Sequence, residues 1–291
     1  MVIVFDGNYM LHRAFHGSIR RYNKTTVEKN TVTSAVTSIC SILLEFNCDQ
    51  CIVCFDGKNS FRKEISKDYK ANRRKTKGTN ITLFDGTKIN VPETPGGFIK
   101  STKDALDFLG IKYAHVDGLE ADDLMAGCAK HLSTCVIVTR DKDLASCVTS
   151  SVHLYWPVEK IIVDKDKVIK HFGVTPNQIR DYLCLLGDKV DCIKGIDRWG
   201  PITCSKFLLK YGSIKNALDT KDGKALLIPH LKTLVLAKSL VSLDYSYRPK
   251  STSIVFAENT STIPKSLWKI PDSYRALSIK KSKPKINKLY S

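Results

Sequence analysis

Carboxylates lie in short clusters in a chain that is otherwise strongly basic. The sequence has 46 Lys and Arg residues against 29 Asp and Glu, which gives a formal net charge of +17. Packed carboxylates repel one another and resist ionisation unless cations bind among them. Mg²⁺ or Mn²⁺ held by oxygen ligands would neutralise such clusters, and the surrounding positive charge would attract a polyanion. The combination predicts a metal-dependent nuclease. The clustered acids are Asp6, Asp56, Glu120, Asp122, Asp123, Asp141, Asp143, Asp188 and Asp191.

Each cluster also has an ordinary structural explanation. The run Glu120-Ala-Asp-Asp123 would suit the N-terminus of a helix, where the macrodipole favours acidic side chains. Asp141-Lys-Asp143 could be a charged turn, and Asp188-Lys-Val-Asp191 a helix end. Asp6-Gly and Asp56-Gly could be simple turns after strands. The case for metal chemistry depends on five such groups recurring in one chain.

Hydrolysis of a phosphodiester by two divalent ions, about 3.5–4 Å apart, requires little from histidine. The seven histidines are scattered without ligand spacing, which agrees with this chemistry. Positive charge on the scissile phosphate is also needed, and Lys70 and Arg73 are the candidates. Their spacing of three would place them on one side of a helix. Tyr69 beside them could stack on a base, a contact worth about 1–3 kcal/mol. The alternative for any one of these cations is a solvated surface charge.

The ten cysteines allow a second kind of metal chemistry. Cys48, Cys51 and Cys54 form a CxxCxxC string, which could bind a metal or an iron–sulfur cluster. However, a strand predicted over 51–55 would point Cys51 and Cys54 to opposite faces, and no fourth ligand lies nearby. Reduced thiols buried in the core are the better interpretation.

Apolar runs with strand-like and helix-like spacing alternate along the first part of the chain. Such alternation predicts an α/β fold with a parallel sheet and helices on its faces. The acidic groups fall at or just after the strand ends, where open α/β sheets bind ligands. The predicted strands are 2–5, 51–55, 111–116, 135–139 and 152–156, and the predicted helices are 32–47, 101–109 and 119–131.

Two further segments do not follow the alternation of strands and helices. Residues 58–100 form a basic excursion that includes 83–91, where Asp85-Gly86 predicts a β-hairpin turn. A second module starts near 165: Thr175-Pro begins a helix, glycines at 187, 195 and 200 form a turn, and a second helix runs to Gly212. Its N-terminus could present backbone amides to a phosphate.

The domains expected from these changes are 1–164, 165–250 and a C-terminal extension at 251–291. The extension ends in a basic tail that includes Lys280, Lys281, Lys283, Lys285 and Lys288. No apolar run approaches the roughly 20 residues needed to span a bilayer, and the N-terminus lacks a signal-peptide pattern. We expect a monomer without membrane contact in the cytoplasm, or in the host cytoplasm if the protein is viral.

Taken in order, the motifs resemble the 5′-nuclease (flap endonuclease) superfamily. They look closest to the bacteriophage 5′→3′ exonucleases and the 5′-nuclease domain of bacterial DNA polymerase I. The resemblance runs from residue 2 to about 212 and more weakly to about 250. The motifs are Asp6-Gly-Asn, Phe55-Asp-Gly, Tyr69-Lys-Ala-Asn-Arg73, Leu119-Glu-Ala-Asp-Asp123, Thr139-Arg-Asp-Lys-Asp143 and Gly187-Asp-Lys-Val-Asp191.

The resemblance implies a PIN-like fold with a mostly parallel central sheet flanked by helices. Two metal positions would be held, one by Asp56, Glu120, Asp122 and Asp123 and the other by Asp143, Asp188 and Asp191. Asp141 would lie between them, and Asp6 would act through water.

The same resemblance implies roles for two other segments of the chain. Residues 58–100 would form an arch through which a 5′ single strand passes, with Lys70 and Arg73 on the scissile phosphate. Residues 176–212 would be a helix–two-turns–helix module that grips duplex DNA and holds a K⁺ ion. The residues expected to contact DNA are Tyr69, Lys70, Arg73, Arg74, Gly195, Gly200 and Lys206.

The chain departs from the family pattern within this module. The usual Asp-Asn is Asp191-Cys192, and the usual Gly-Ile-Gly with a following basic residue is replaced by Arg198-Trp-Gly200 and Pro201-Ile-Thr203. The carboxylates are unaffected. The expected function is a structure-specific 5′-nuclease that hydrolyses DNA at 5′ ends and flaps, with the RNA strand of hybrids as a further substrate. The alternatives are a non-catalytic DNA-binding protein and a PIN-type ribonuclease.

Overall fold

The computed structural model describes residues 1–18, 26–72, 79–82, 86, 88–91 and 95–246. Arg73, Arg74 and the basic tail at 280–288 lie outside the described residues. Contacts divide the chain into two units. Of the described residues, the first unit comprises those within Met1–Phe55 and Thr76–Ala114, and the second those within Asp56–Lys75 and His115–Arg248. These units interleave along the chain, whereas the sequence predicts consecutive domains; the domain bounds stay a prediction.

The described residues contain short strands between helices of varied length. The strands are β1 (Val2–Asp6), β2 (Cys51–Phe55), β3 (Thr79–Thr82), β4 (Lys88–Val91), β5 (Tyr113–His115), β6 (Cys135–Val138), β7 (Val152–Trp156), β8 (Ile161–Val163), β9 (Gly187–Asp188) and β10 (Ile193–Lys194). The helices are α1 (Gly7–Ser18), α2 (Val27–Glu45), α3 (Arg62–Ile65), α4 (Ile99–Phe108), α5 (Ala121–His131), α6 (Lys165–Phe172), α7 (Ile179–Leu186), α8 (Pro201–Tyr211), α9 (Ile214–Leu218), α10 (Lys221–Leu227) and α11 (Leu231–Val241).

The fold has a mixed, mostly parallel sheet flanked by helices, so the predicted fold class is confirmed. The strand order is β5–β2–β1 in the first unit and β6–β7–β8 in the second. β1 pairs in parallel with β2, with Ile3 opposite Cys51, and β6 pairs in parallel with β7. β8 runs antiparallel to β7, which the sequence analysis did not predict. The turn between them is tight enough for a direct hairpin, and a hairpin makes neighbouring strands antiparallel.

In the first unit, helix α1 begins directly after β1, where the sequence suggested a turn. The Asp6 carboxylate Oδ1 accepts a hydrogen bond from the Tyr9 backbone N–H at 2.8 Å, so the acid satisfies one of the free amides at the helix start. Met10, Leu11 and Phe15 form the buried face of this helix. The predicted hairpin is present, with β3 and β4 antiparallel and Gly86 at φ +84°.

The second unit contains the predicted helix–turn–helix. Thr175 and Gln178 form a capping box before α7, and Gly187, at φ +74°, ends this helix. The Gln178 amide then donates to the carbonyls of Leu208 and Gly212, at 3.0 and 2.9 Å, and so ties the start of one helix to the end of α8.

The cysteines are free thiols, and most are buried, in agreement with the interpretation of core thiols. Burial raises the pKa of the Cys135 thiol to about 12, which makes it unreactive at neutral pH. Within the described ranges, no helix is long and apolar enough to cross a membrane.

Candidate active site

The predicted acidic cluster at 120–123 forms the start of helix α5. Glu120 is the N-cap residue, and its backbone N–H donates to Asp123 Oδ2 at 3.0 Å. Asp56 joins the same helix start, because its Oδ1 accepts from the Ala121 N–H at 2.9 Å. Asp122 is half-buried one residue further on. Four predicted acidic residues therefore lie at one helix N-terminus.

Close packing of backbone supports this arrangement. Gly57 N–H donates to Leu119 O at 2.8 Å, and a Cβ on Gly57 would lie 1.9 Å from Val116 O. Only glycine allows the chain after Asp56 to approach the segment before Glu120 so closely. The glycine that resembles a simple turn residue in the sequence is thus needed to bring two acidic groups together.

Lys70 and Tyr69 both contact the Glu120 carboxylate. Lys70 Nζ lies 2.8 Å from Oε1, and the Tyr69 hydroxyl donates to Oε2 at 2.8 Å. Asp191 is the next acid, at 3.7 Å from Lys70 Nζ and 3.4 Å from the Tyr69 hydroxyl. The lysine and the tyrosine thus bring the Glu120 and Asp188–Asp191 clusters to one place.

The backbone supports the same contact. Lys70 has φ +53°, a left-handed conformation that is uncommon outside glycine, and its N–H donates to Asp191 O at 3.0 Å. Asn72 also donates to Lys189 O at 3.1 Å. The basic segment at 69–72 is therefore bound to the acidic turn at 188–191 by main chain and side chains alike.

The cluster at 141–143 joins the site through Lys142. Its Nζ lies 2.9 Å from Asp188 Oδ2. Burial acts to lower the pKa of Lys142, but the hydrogen bond and charge of Asp188 outweigh it, and the pKa is raised. The Asp143 N–H donates to Asp141 Oδ1 at 2.8 Å, so the two carboxylates share one tight turn.

Asp141 and Asp143 are strongly perturbed. Burial, followed by the charge of Asp141, raises the pKa of Asp143 to about 8. Burial and the charge of Asp191 also raise the pKa of Asp141. Strong perturbation of buried carboxylates by one another is typical of functional sites.

The donor set of this second unit suits a hard divalent cation. Asp143 Oδ1 is buried and has no hydrogen-bond partner, which is costly for a carboxylate oxygen unless a cation binds it. Carboxylate oxygens are the ligands that Mg²⁺ and Mn²⁺ prefer. Among the described side chains, no three His, Cys, Asp or Glu residues converge closely enough to form a metal-binding group as they stand. Lys70 and Lys142 instead neutralise Glu120 and Asp188 directly.

Two of the predicted metal ligands have a different environment. Asp6 belongs to the first unit, where it caps α1 as described above. Asp123 is fully buried, and both of its oxygens accept hydrogen bonds from the Arg62 guanidinium at 2.7 Å. The metal-ligand roles of the nine acids stay predictions.

The predictions for Tyr69 and its neighbours need two corrections. Tyr69 is 3% exposed and its hydroxyl is bound to Glu120, so its ring is not available to stack on a base. Residues 69–72 form a turn, so the described part of this segment is not the helix that the sequence analysis assumed. Arg73 and Arg74 themselves lie outside the described residues. Lys206 is exposed on α8.

The sequence analysis missed Arg62 and Lys142. Arg62 was one of many basic residues in a charged segment, and nothing in the local sequence distinguished it. Lys142 offered a signal, because it stands between two candidate ligands in Asp141-Lys-Asp143.

The chain belongs to the 5′–3′ exonuclease family. Residues 1–173 match the family described as "5'-3' exonuclease, N-terminal resolvase-like domain", and residues 174–254 match "5'-3' exonuclease, C-terminal SAM fold". The nuclease class and the resemblance predicted from the motifs are thereby confirmed.

Relatives and solved structures agree with this assignment. A 5′–3′ exonuclease of Aquifex aeolicus is 31% identical over 247 residues, covering 82% of this chain and 80% of the relative. DNA polymerase I of Mycobacterium leprae is 30% identical over 84% of this chain, and the match spans only 27% of the polymerase. A zinc-bound structure of the T5 5′-exonuclease shares the fold with a TM-score of 0.64, 19% identity and coverage of 84% of this chain and 89% of that one. The catalytic core of Rad2 with a DNA substrate has a TM-score of 0.54, 17% identity and coverage of 88% and 81%.

Proposed function

We propose that this 5′–3′ exonuclease family member is a Mg²⁺- or Mn²⁺-dependent, structure-specific 5′-nuclease that cleaves DNA at 5′ ends and flaps. The observation that carries the proposal is that the Lys70 ammonium group lies within 4 Å of two carboxylates from separate acidic clusters, those of Glu120 at 2.8 Å and Asp191 at 3.7 Å. Carboxylates for a cation and a lysine for a phosphate are what phosphodiester hydrolysis requires.

Divalent-metal dependence is typical of this family. In the proposal, two ions are held by two sets of carboxylates. Asp56, Glu120 and Asp122 hold one ion, with Asp123 behind them, and Asp143, Asp188 and Asp191 hold the other. Asp141 stands between the sets, and Asp6 acts through water. The ions, when bound, would activate a water molecule and neutralise the leaving oxygen.

The protein's own groups have separate tasks in this proposal. Lys70 neutralises the scissile phosphate, and Arg73 assists it. The half-buried position of Lys70, 11% exposed at its side chain, keeps this charge poorly screened by water. Lys142 holds Asp188, and Tyr69 orients Glu120 through its hydroxyl.

The substrate is proposed to be duplex DNA with a 5′ end or flap, and the RNA strand of RNA:DNA hybrids is proposed as a second substrate. Structures of the T5 and Rad2 proteins in complex with DNA support the first part. The helix–two-turns–helix at 176–212 is proposed to grip the duplex through Gly195, Gly200 and Lys206. The segment at 58–100, with Arg74, is proposed to guide the single strand.

The proposal also includes a K⁺ ion at the turn of that module, a monomeric protein and a cytoplasmic location. Its supports are the resemblance to the family and the glycine-bounded turn between α7 and α8.

A 5′-labelled flap duplex, incubated with purified protein and Mg²⁺, tests the proposal. Short labelled products indicate end trimming, and products of flap length indicate cleavage at the junction. A matched RNA-strand hybrid and a single-stranded RNA separate this activity from that of a PIN-type ribonuclease. If flap and plain duplex both stay intact with Mg²⁺ and with Mn²⁺, the proposal fails.

A further inference from the structure

One buried ion pair, Arg62–Asp123, borders the carboxylate cluster, and the proposal above gives its arginine no role. Arg62 is 2% exposed and makes a two-pronged contact with Asp123, with both N···O distances at 2.7 Å. The Arg62 Nη1 atom also lies 3.4 Å from Glu120 Oε2. Burial acts to lower the pKa of Arg62, but the hydrogen bond and charge of Asp123 outweigh it, so that the pKa is raised and the charge is kept.

The remaining donors of Arg62 reach a distant part of the chain. Nε donates to Leu240 O and Nη2 to Ser242 O, each at 2.8 Å. In return, the Asp244 N–H donates to Asp123 Oδ1 at 2.8 Å. The segment 240–246, called the C-terminal strap below, is therefore bound to both members of the ion pair.

Tyr245 fastens the strap at a second point. Its ring lies 4.5 Å from the Arg180 guanidinium and 5.4 Å from Lys130 Nζ, both within cation–π range. Its carbonyl lies 3.3 Å from His131 Nε2. Lys130 and His131 are the last residues of α5, the helix that starts beside Glu120, so the strap contacts this helix at both ends.

We propose that Arg62 is a positioning residue of the nuclease centre, and that the C-terminal strap holds it in place. Arg62 orients Glu120 directly, and it fixes Asp123, whose Oδ2 accepts the Glu120 backbone N–H. Glu120 in turn contacts Lys70 and Tyr69. In this assignment, Asp123 acts through Arg62 rather than as a metal ligand, because it is 0% exposed and the guanidinium binds both of its oxygens at 2.7 Å. The inference rests on the proposed nuclease function.

The plainer explanation is that the ion pair only stabilises the fold, and paired substitutions separate the two. Removing one partner leaves a buried charge unpaired, so Arg62→Met and Asp123→Leu alone should each lower the melting temperature. Replacing both partners with apolar residues of similar size is often neutral or stabilising. The double variant contains no unpaired buried charge, so it should recover part of the stability that either single variant loses; the backbone groups that Arg62 and Asp123 bind stay without these partners, which limits the recovery.

Activity should not recover with stability. In the double variant, we expect kcat on a 5′-flap duplex to stay about 10–10²-fold below wild type with little change in KM, because a misplaced catalytic group costs rate. The Mn²⁺ affinity of the double variant, measured by titration calorimetry without DNA, should also be lower than that of the wild-type protein. A double variant with wild-type melting temperature, kcat and Mn²⁺ affinity would overturn the proposal.

If the double variant does not fold, Tyr245→Ala tests the positioning role of Arg62 instead. It loosens the strap without touching the ion pair, and we expect lower kcat and weaker Mn²⁺ binding. Tyr113→Ala is the matched control, because Tyr113 also has a lysine, Lys103, 5.3 Å from its ring but lies in the first unit. Equal kcat and Mn²⁺ affinity in Tyr245→Ala and wild type would contradict the positioning role. A wild-type protein that binds Mn²⁺ and cleaves no DNA would instead refute the proposed function, and the calorimetric comparison would still test Arg62.

Discussion

At the residue scale, the fold places the Lys70 ammonium group between the carboxylates of Glu120 and Asp191. Its left-handed backbone, at φ +53°, is a strained conformation for a lysine. Contacts on both sides maintain it: the N–H bonds to Asp191 O and the ammonium group to Glu120. A strained residue that its surroundings hold this firmly is a candidate for function rather than a solvated surface charge.

Lys70→Ala should therefore slow cleavage more than it weakens binding. The variant removes positive charge near the reacting phosphate, and the loss of one such electrostatic group typically costs about 10²–10³-fold in kcat. Single-turnover cleavage and equilibrium binding of the same flap duplex measure the two effects. Lys67→Ala is the control, since Lys67 is an exposed lysine in the same segment. Equal losses in the two variants would argue that Lys70 contributes only general positive charge.

Asp143→Asn should abolish cleavage while leaving DNA binding largely intact. The substitution keeps the size of the side chain and removes the charge from the buried oxygen that has no partner. At a concentration 100 times its dissociation constant, Mn²⁺ should add about 2.7 kcal/mol to the stability of the wild-type protein. We therefore expect Mn²⁺ to raise the melting temperature of the wild-type protein and to raise that of the variant less. Differential scanning calorimetry with and without Mn²⁺ measures this difference.

Asp166→Asn controls for the general loss of a negative charge, because Asp166 is exposed on α6. It should cleave and respond to Mn²⁺ like wild type. If Asp143→Asn loses DNA binding together with cleavage, Asp143 has a structural role instead.

The candidate site could be predicted from sequence only in part. The acids were recognisable because they recur after apolar strands, and such strand ends share one edge of a sheet. Arg62 was not recognisable, because its partners Glu120, Asp123 and Ser242 lie 58 to 180 residues away along the chain. Tyr69 was assigned to the surface because a tyrosine among lysines suggests nucleic-acid contact, whereas its hydroxyl binds a buried carboxylate.

At the scale of elements, the turn between α7 and α8 depends on close contact between two backbone segments. A Cβ on Gly195 would lie 2.3 Å from Leu186 C, and one on Gly187 would lie 2.4 Å from Gly195 N. Gly200 precedes α8 and has open space around it. Three glycines that look alike in the sequence therefore have different structural requirements.

Gly195→Ala should thus destabilise the module more than Gly200→Ala does. The new methyl group must displace backbone atoms at position 195, and we expect a loss of about 1–3 kcal/mol. At position 200, the backbone has φ −96° and the space is open, so alanine meets no clash and loses only the N-cap preference for glycine over alanine. Thermal unfolding and duplex affinity of the two variants test this. A Gly195→Ala protein as stable as Gly200→Ala would show that the turn can relax.

The elements themselves were predictable where periodicity was strong and less so at strand ends. β2, β7 and the module helices lie where their apolar patterns place them. Helix α1 was missed because Asp6-Gly7 has the composition of a turn, and only the contact of Asp6 with Tyr9 shows that the acid caps a helix. β8 was missed because three residues, Ile161–Val163, carry too little pattern.

At the scale of the whole molecule, an excess positive charge of +17 coexists with a local concentration of acids. In the second unit, Lys70, Lys142 and Arg62 pair directly with these acids. The net positive charge of the chain as a whole would still attract a polyanion. Counterion release then makes DNA affinity depend steeply on salt. A protein with about 6–10 phosphate contacts loses roughly 10³–10⁵ in affinity between about 50 and 200 mM salt.

Lys206→Ala should reduce this salt dependence by about one unit of slope in a plot of log affinity against log salt, and weaken binding similarly for all sequences. The reason is that Lys206 is exposed on α8, the helix proposed to face the duplex backbone, and a phosphate contact carries no sequence information. Fluorescence anisotropy with two unrelated duplexes, from 50 to 200 mM KCl, measures the slope. Lys112→Ala is the control, because Lys112 is exposed, lies in the first unit and is outside the segments proposed to contact DNA. If both variants change the slope equally, the basic surface acts through its total charge, and the proposed role of α8 in gripping DNA is wrong.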